Sequence, residues 1–210
     1  MSTTSNLILT IYKSRKTILE ILETNQDYDT GDYRDFSINE IDAMYANNQL
    51  DMLVKHNTED KKIYIKYYLS AKQIKPQNLD DIIEDLFSIE NVLTKNDTLM
   101  IIVEDEPNDT IHTKMKYLYD HDGVFVVIHN IKRLQFNILT HRLVPECKLL
   151  NKKEVDSLMK EFNIKETKQL PEISRFDPQA LAMCLRPGDV CKFQRDSATA
   201  MKYNYYRVCV

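Results

Sequence analysis

Three patches decide how this chain reads: His141-Arg142-Leu143-Val144-Pro145-Glu146, then Gln169-Leu170-Pro171-Glu172-Ile173, then everything from Asp177 to Val210. Four of the six prolines lie here: Pro145, Pro171, Pro178 and Pro187. Each stands where a regular element should start or stop, because proline lacks the backbone donor that a helix interior or central strand requires. The final run, Tyr203-Asn204-Tyr205-Tyr206-Arg207-Val208-Cys209-Val210, is strand-like. A chain that stops in a strand is expected to have that end tied into a sheet, since free ends fray.

Working outward, 210 residues hold one large domain or two modest ones, and a hydrophobic content of 43% can build a real core. Net charge is −4, unevenly spread. Residues 141–210 carry 13 Lys+Arg against 9 Asp+Glu, whereas residues 1–140 carry 15 against 23. The acidic part has no basic stripe for binding bare nucleic acid. The small basic part suits an acidic protein surface or a phosphate backbone, and charge alone does not choose. Cys147, Cys184, Cys191 and Cys209 form no Cys-x-x-Cys pair and have no His at zinc spacing, so reduced, mostly buried thiols are expected. The N-terminus shows no signal sequence, and no apolar run nears the ~20 residues of a membrane span. Three glycines exclude Gly-rich phosphate loops.

Along the chain, residues 1–6 read as a loose end. Leu7–Leu22 reads as an amphipathic helix with Lys13, Arg15 and Lys16 facing out. Residues 25–37 form a loop. Ser37 with Glu40 is a capping box opening a helix to about Ala46. Strands 51–55 and 62–69 make a hairpin, followed by a helix over 78–91. The apolar runs 98–103 and 124–128 are strands buried on both faces, separated by a helix capped at Asp109 and broken by Gly123. Residues 131–139 include a short strand around Leu134–Phe136. This alternation predicts an α/β domain with a partly parallel sheet, ending near residue 140. Residues 141–210 form a smaller α+β domain: a strand over 141–149, a helix capped by Asn151 with Glu154, a short helix at Asp177-Pro178, and strands over 189–195 and 203–210 joined by 196–202.

Chemistry-bearing patterns are few. Asp51, then Tyr64-Ile65-Lys66 on the next strand, has the layout of a metal-dependent nuclease, but Tyr64 stands where a second carboxylate should hold Mg²⁺. The spacing echoes a nuclease-like fold whose chemistry is absent, so no catalytic, cofactor or metal residue is assigned and no cofactor is expected. Cys147 and His141 would share a face of one strand, yet nothing supplies an orienting group or oxyanion hole. Glu104, Asp105 and Glu106 read as a solvated acidic loop. Tyr203 and Tyr205 share one strand face, and Tyr206 takes the other with Val208 and Val210. Beside Arg207 these tyrosines are an interface patch or part of the core.

His141-x-Leu143-Val144-Pro145-Glu146, Leu149 leading into Lys152-Lys153-Glu154-Val155, Gln169-Leu170-Pro171-x-Ile173, Asp177-Pro178 and Pro187-Gly188-Asp189-Val190 keep their order and spacing over seventy residues. With Lys192, Arg195, Ser197, Thr199-Ala200, Tyr203, Tyr206, Arg207 and Val208, they resemble the fifth subunit shared by the eukaryotic nuclear RNA polymerases and its small archaeal counterpart. Tyr12-Lys13-x-Arg15-Lys16-Thr17-Ile18 resembles the first helix of the jaw domain that the eukaryotic version adds. The resemblance implies a nuclease-like but inactive α/β jaw over 1–140 and an assembly domain over 141–210. It implies a non-catalytic subunit of DNA-directed RNA polymerase that docks on the largest subunit and touches neighbouring subunits. Downstream DNA would be met only through the assembled complex, with no membrane partner. Interface residues would include His141, Pro145, Glu146, Pro171, Arg195, Ser197, Thr199, Tyr203, Tyr206 and Arg207. An intracellular setting follows: the nucleus for a cellular protein, host cytoplasm or virion for one encoded by a large DNA virus, as the divergence and AT-rich-like composition suggest. The chain departs from the family at Cys147 (usually His), Leu181 (usually Arg), and Cys184 and Met201 (both usually Gly), and the lost glycines suggest altered turns. The alternative is a free adaptor or nucleic-acid-binding interaction protein using the same small domain.

Overall fold

The computed structural model describes residues 3–210, which divide into a unit through Asn137 and a unit of Ile138–Val210. In the first unit α1 (Thr3–Gln26) is longer than the apolar stripe suggests, and it takes in residues 3–6 of the expected loose end. Lys13 and Lys16 are exposed as expected, but Arg15 is 4% exposed. Position 15 lies four residues past Ile11 and three before Ile18, so it falls on the buried stripe of Ile8, Ile11, Ile18 and Leu22. Its Nη1 donates to the Leu50 carbonyl at 2.9 Å, and its guanidinium lies over the rings of Tyr33 and Phe36.

The expected loop over 25–37 contains β1 (Tyr28–Asp29) and a 3-10 turn at Gly31–Tyr33. α2 (Ile38–Ala46) opens with the Ser37–Glu40 capping box. β2 (Met52–His56) and β3 (Lys62–Tyr67) are an antiparallel hairpin, with β1 paired to β2. α3 (Pro76–Ile83), with proline at its first position, widens into π-helix over Glu84–Ile89. β4 (Thr98–Val103) and β5 (Phe125–Asn130) continue the sheet in parallel, in the order β1-β2-β3-β4-β5. Every residue of β4 and β5 is buried, as befits strands reached by helical crossovers. α4 (Asp109–Tyr117) is capped by Asn108, whose side chain accepts from Ile111 N at 3.0 Å, rather than by Asp109. Gly123 ends it with φ 72°, a left-handed conformation suited to glycine. The strand expected around 134–136 is instead a 3-10 helix, Ile131–Gln135. Asn130 caps it by accepting from Lys132 N, and Ile131 and Leu134 bury themselves three residues apart.

In the second unit, β6 covers only Glu146–Leu149. Residues 141–145 are not strand: Val144 N donates to His141 O at 2.9 Å, closing a turn, and Pro145 follows without a donor. α5 (Lys152–Glu161) carries the Asn151–Glu154 capping box. A two-residue strand, β7 (Glu172–Ile173), had no counterpart in the sequence reading. α6 (Pro178–Ala182) starts at the Asp177 cap. β8 (Val190–Ser197) and β9 (Met201–Cys209) pair antiparallel around the three residues 198–200, a tighter link than 196–202. Sheet order is β6-β8-β9-β7, with β7 parallel to β9. Alternation gives the sheet two apolar faces. Cys191, Phe193 and Cys209 pack with Ile173, Ala180, Met183 and Leu185 from around α6. Val190 and Val208 pack with Leu158 of α5 and with Leu170.

Candidate functional site

Sequence spacing singled out Asp51, Tyr64 and Lys66, and the fold brings them together. Tyr64 lies opposite Leu53 on the β2–β3 ladder, so its side chain and that of Lys66 share one face. The Tyr64 hydroxyl and Lys66 Nζ each donate to Asp51 Oδ2 at 3.2 Å, and Tyr67 N donates to Oδ1 at 3.0 Å. Burial and the Asp51 carboxylate hold the Tyr64 phenol well above its ordinary range, so it stays protonated and acts as a donor to Asp51. Both oxygens of Asp51 are thus occupied by donors of the chain itself. Among the described residues no group of three or more His, Cys, Asp or Glu side chains is arranged to hold a metal ion.

In the second unit the organising side chain is Tyr205, which the interface assignment omitted. It lies opposite Phe193, and its inner edge packs on the α6-side core. The Arg195 guanidinium sits 4.5 Å from its ring centroid and that of Arg207 5.3 Å, so two cations flank one aromatic ring. Arg195 lies opposite Tyr203, which is exposed on the same face. The signal was present: 203, 205 and 207 alternate onto one face, and 195 lies two positions beyond the partner of 205. Tyr206 takes the other face, opposite Lys192, with its ring 5.9 Å from Phe162 and its body against the α5-side core. Tyr205 and Tyr206 are therefore half core and half surface, and Tyr203 alone of the three is exposed.

The remaining assigned residues are scattered around this ribbon. Ser197 Oγ accepts from Thr199 N at 3.4 Å and Ala200 N at 3.3 Å, so Ser197 and Thr199 shape the hairpin tip. Pro171 O accepts from Val208 N, holding the β7 edge. Pro145 O accepts from Gln179 Nε2 at 2.7 Å, and exposed Glu146 opens β6 opposite Gln194. His141 is exposed in the turn before β6, its Nδ1 accepting from Leu143 N, so it does not share a strand face with Cys147. The assigned set thus lies on several surfaces. Leu143 (83% exposed) and Met201 (84%), neither assigned to the interface, are the most exposed large apolar side chains of this unit.

All four cysteines are free thiols. The Cys191 thiol lowers the Cys147 pKa, and Cys147 together with burial raises that of Cys191. Burial pushes Cys209 up to about 11, and its thiol donates to the Leu185 carbonyl. At the two positions where glycine was expected, the backbone is left-handed, the region that favours glycine: φ is 50° at Cys184 and 57° at Met201. Cys184 N donates to Leu181 O and Leu185 N to Ala180 O, the pair of bonds of a Schellman motif closing α6.

The family described as "RNA polymerase Rpb5, C-terminal domain" matches residues 136–209, the span of this second unit. The chain is 43% identical over 76 residues to "DNA-directed RNA polymerase subunit Rpo5" of Thermococcus onnurineus, covering 36% of this chain and 92% of that one. Over 81 residues it is 43% identical to "DNA-directed RNA polymerases I, II, and III subunit rpabc1" of Dictyostelium discoideum, covering 39% and 41%. It is also 27% identical over 204 residues to "DNA-directed RNA polymerases IV and V subunit 5B" of Arabidopsis thaliana, covering 95% and 88%. All of these relatives are named as subunits of DNA-directed RNA polymerases. The chain belongs to the Rpb5/Rpo5 family of DNA-directed RNA polymerase subunits.

Proposed function

We propose that this chain is a non-catalytic subunit whose second unit docks on the largest polymerase subunit during assembly. The first unit then forms part of the lower jaw near incoming DNA. One observation carries the reading: a match over about a third of this chain covers 92% of an archaeal Rpo5 chain, and the family model falls on residues 136–209. A relative that this match covers almost wholly is itself named a DNA-directed RNA polymerase subunit. The mixed surface around Arg195, Tyr205 and Arg207, with exposed Tyr203, supports docking, since Arg and Tyr are favoured anchors. The acidic balance of the first unit argues against DNA binding by the chain alone, so downstream DNA is met within the complex.

The experiment is co-purification of tagged full-length chain and of residues 138–210 with the largest subunit. Both are expected to retain it. A folded 138–210 fragment that leaves the largest subunit behind overturns the assembly reading. A gel-shift titration of the full chain on duplex DNA is expected to show negligible binding, and tight, salt-sensitive binding contradicts the expectation that DNA is met only within the complex.

A further inference from the structure

Strand β9 is nine residues long, but its neighbour β7 pairs with only two of them, Val208 and Cys209. From Met201 to Arg207, β9 has β8 on one side and, among the described residues, no strand on the other. The register decides which backbone groups face that open side. Val208 N donates to Pro171 O, away from β8, and backbone direction alternates along a strand. The backbone groups of Tyr206, Asn204 and Lys202 therefore point outward as well. Lys202 N is turned back onto Ala200 O at 2.6 Å. The N–H and C=O of Asn204 and Tyr206 have no partner among the described residues.

Sheet edges are ordinarily blunted by proline, a bulge or a covering element. Residues 201–209 contain no proline, the pairing of β8 with β9 runs unbroken from Ser197–Met201 to Val190–Val208, and residues 201–204 are exposed. The charge on this ribbon is of one sign. Lys192, Arg195, Lys202 and Arg207 stand against a single carboxylate, Asp196, opposite Lys202. None of the four cations is in an ion pair among the described residues. A second copy of the ribbon would bring the same cations alongside, so the edge favours an acidic strand over itself.

We infer that the open edge of β9 over residues 202–206 takes up an extended, acidic segment of the largest polymerase subunit as an added strand. This rests on the docking reading and supplies its mode of contact. Main-chain hydrogen bonds to Asn204 and Tyr206 give affinity, and alternate side chains give specificity. Carboxylates on one face of the added strand meet Arg207 beside Tyr203 and Tyr205, and those on the other face meet Lys202.

The test assembles the polymerase with the tagged full-length chain, as wild type, Asn204→Pro or Asn204→Ala. It follows retention of the largest subunit and hydrogen exchange at amides 202–206, resolved by fragmentation mass spectrometry. A proline at 204 removes an outward N–H and leaves the β8 ladder intact, which exchange at amides 203, 205 and 207 of the free chain verifies. Slowed exchange at Asn204 and Tyr206 in the wild-type complex is expected, with retention weakened roughly tenfold by Asn204→Pro and unchanged by Asn204→Ala. Carbodiimide treatment is expected to join Lys202 to an Asp or Glu of the largest subunit. Unchanged exchange at 204 and 206 in a complex that retains the largest subunit overturns the added strand and leaves the docking reading standing. Slowed exchange with Lys202 joined to a different subunit overturns the assigned occupant. A wild-type chain that leaves the largest subunit behind overturns the docking reading and the occupant together. The wild-type exchange needs no substitution, so a misfolded proline variant does not rescue the idea.

Discussion

The backbone at Met201 carries a conformation that its side chain does not favour. Its φ of 57° is left-handed, yet it opens β9 opposite Ser197, where the three-residue hairpin link ends. A Cβ in that region costs about 1–2 kcal/mol, because it crowds the following carbonyl. Glycine removes the crowding but adds about 0.5–1 kcal/mol of unfolded-chain entropy. The methionine side chain is 84% exposed, so deleting it forfeits almost no buried area. Met201→Gly is therefore expected to stabilise the second unit by about 0.75 kcal/mol, the difference between the midpoints of those two terms. For a unit of this size, that raises the thermal midpoint by roughly 2–8 °C. Met201→Ala is the control. It deletes the same exposed side chain but keeps the Cβ, so its midpoint should match the parent. The assay is thermal and urea unfolding followed by tyrosine fluorescence, fitted for each unit separately, since two units need not unfold as one. If Met201→Gly melts at or below Met201→Ala, the left-handed residue is not strained and the reasoning fails.

Three further outcomes are expected. Asn151→Ala removes a side chain that accepts from Glu154 N at 3.0 Å, and should cost about 1 kcal/mol in the urea midpoint; a change within error refutes the capping role. A double-mutant cycle of Arg195→Met and Tyr205→Leu should show a coupling of about 0.5–1 kcal/mol; additive effects would mean the 4.5 Å stack contributes nothing. Burial pushes the Tyr67 phenol up to about 12 from an ordinary value near 10. The folded state then holds that proton more tightly, so its contribution to stability is complete below about pH 10 and lost as pH rises toward 12. Urea midpoints should fall across that window and fall less in Tyr67→Phe; identical slopes in the two proteins would contradict this.

Local signals that name their own partners were legible in the sequence. The Ser37–Glu40 and Asn151–Glu154 boxes each hold a donor and an acceptor three residues apart, and both form as read. The apolar run 98–103 needs no register to be identified as a strand buried on both faces. What failed depended on neighbours distant in sequence. Arg15 looks like a surface cation until its position on the Ile11–Ile18–Leu22 stripe is counted, and the Leu50 carbonyl that receives its Nη1 lies thirty-five residues away. β7 is two residues long and exists only because β9 runs beside it. The residues 131–135 carry strand-like apolar content, but the Asn130 cap and an i, i+3 burial spacing favour a 3-10 turn.

The candidate interface was legible as composition but less so as geometry. Alternation predicts which tyrosines share a face; it does not say that Tyr205 would sit between Arg195 and Arg207 while its inner edge fills the core. The departures from the family pattern divide in the same way. At Cys184 and Met201 the backbone takes a left-handed conformation, held by the Schellman bonds of α6 and by the β8–β9 register. At Cys147 the exchange is one of side-chain chemistry: the thiol faces Cys191 beside the α6-side core, where the family's histidine would place a larger polar ring.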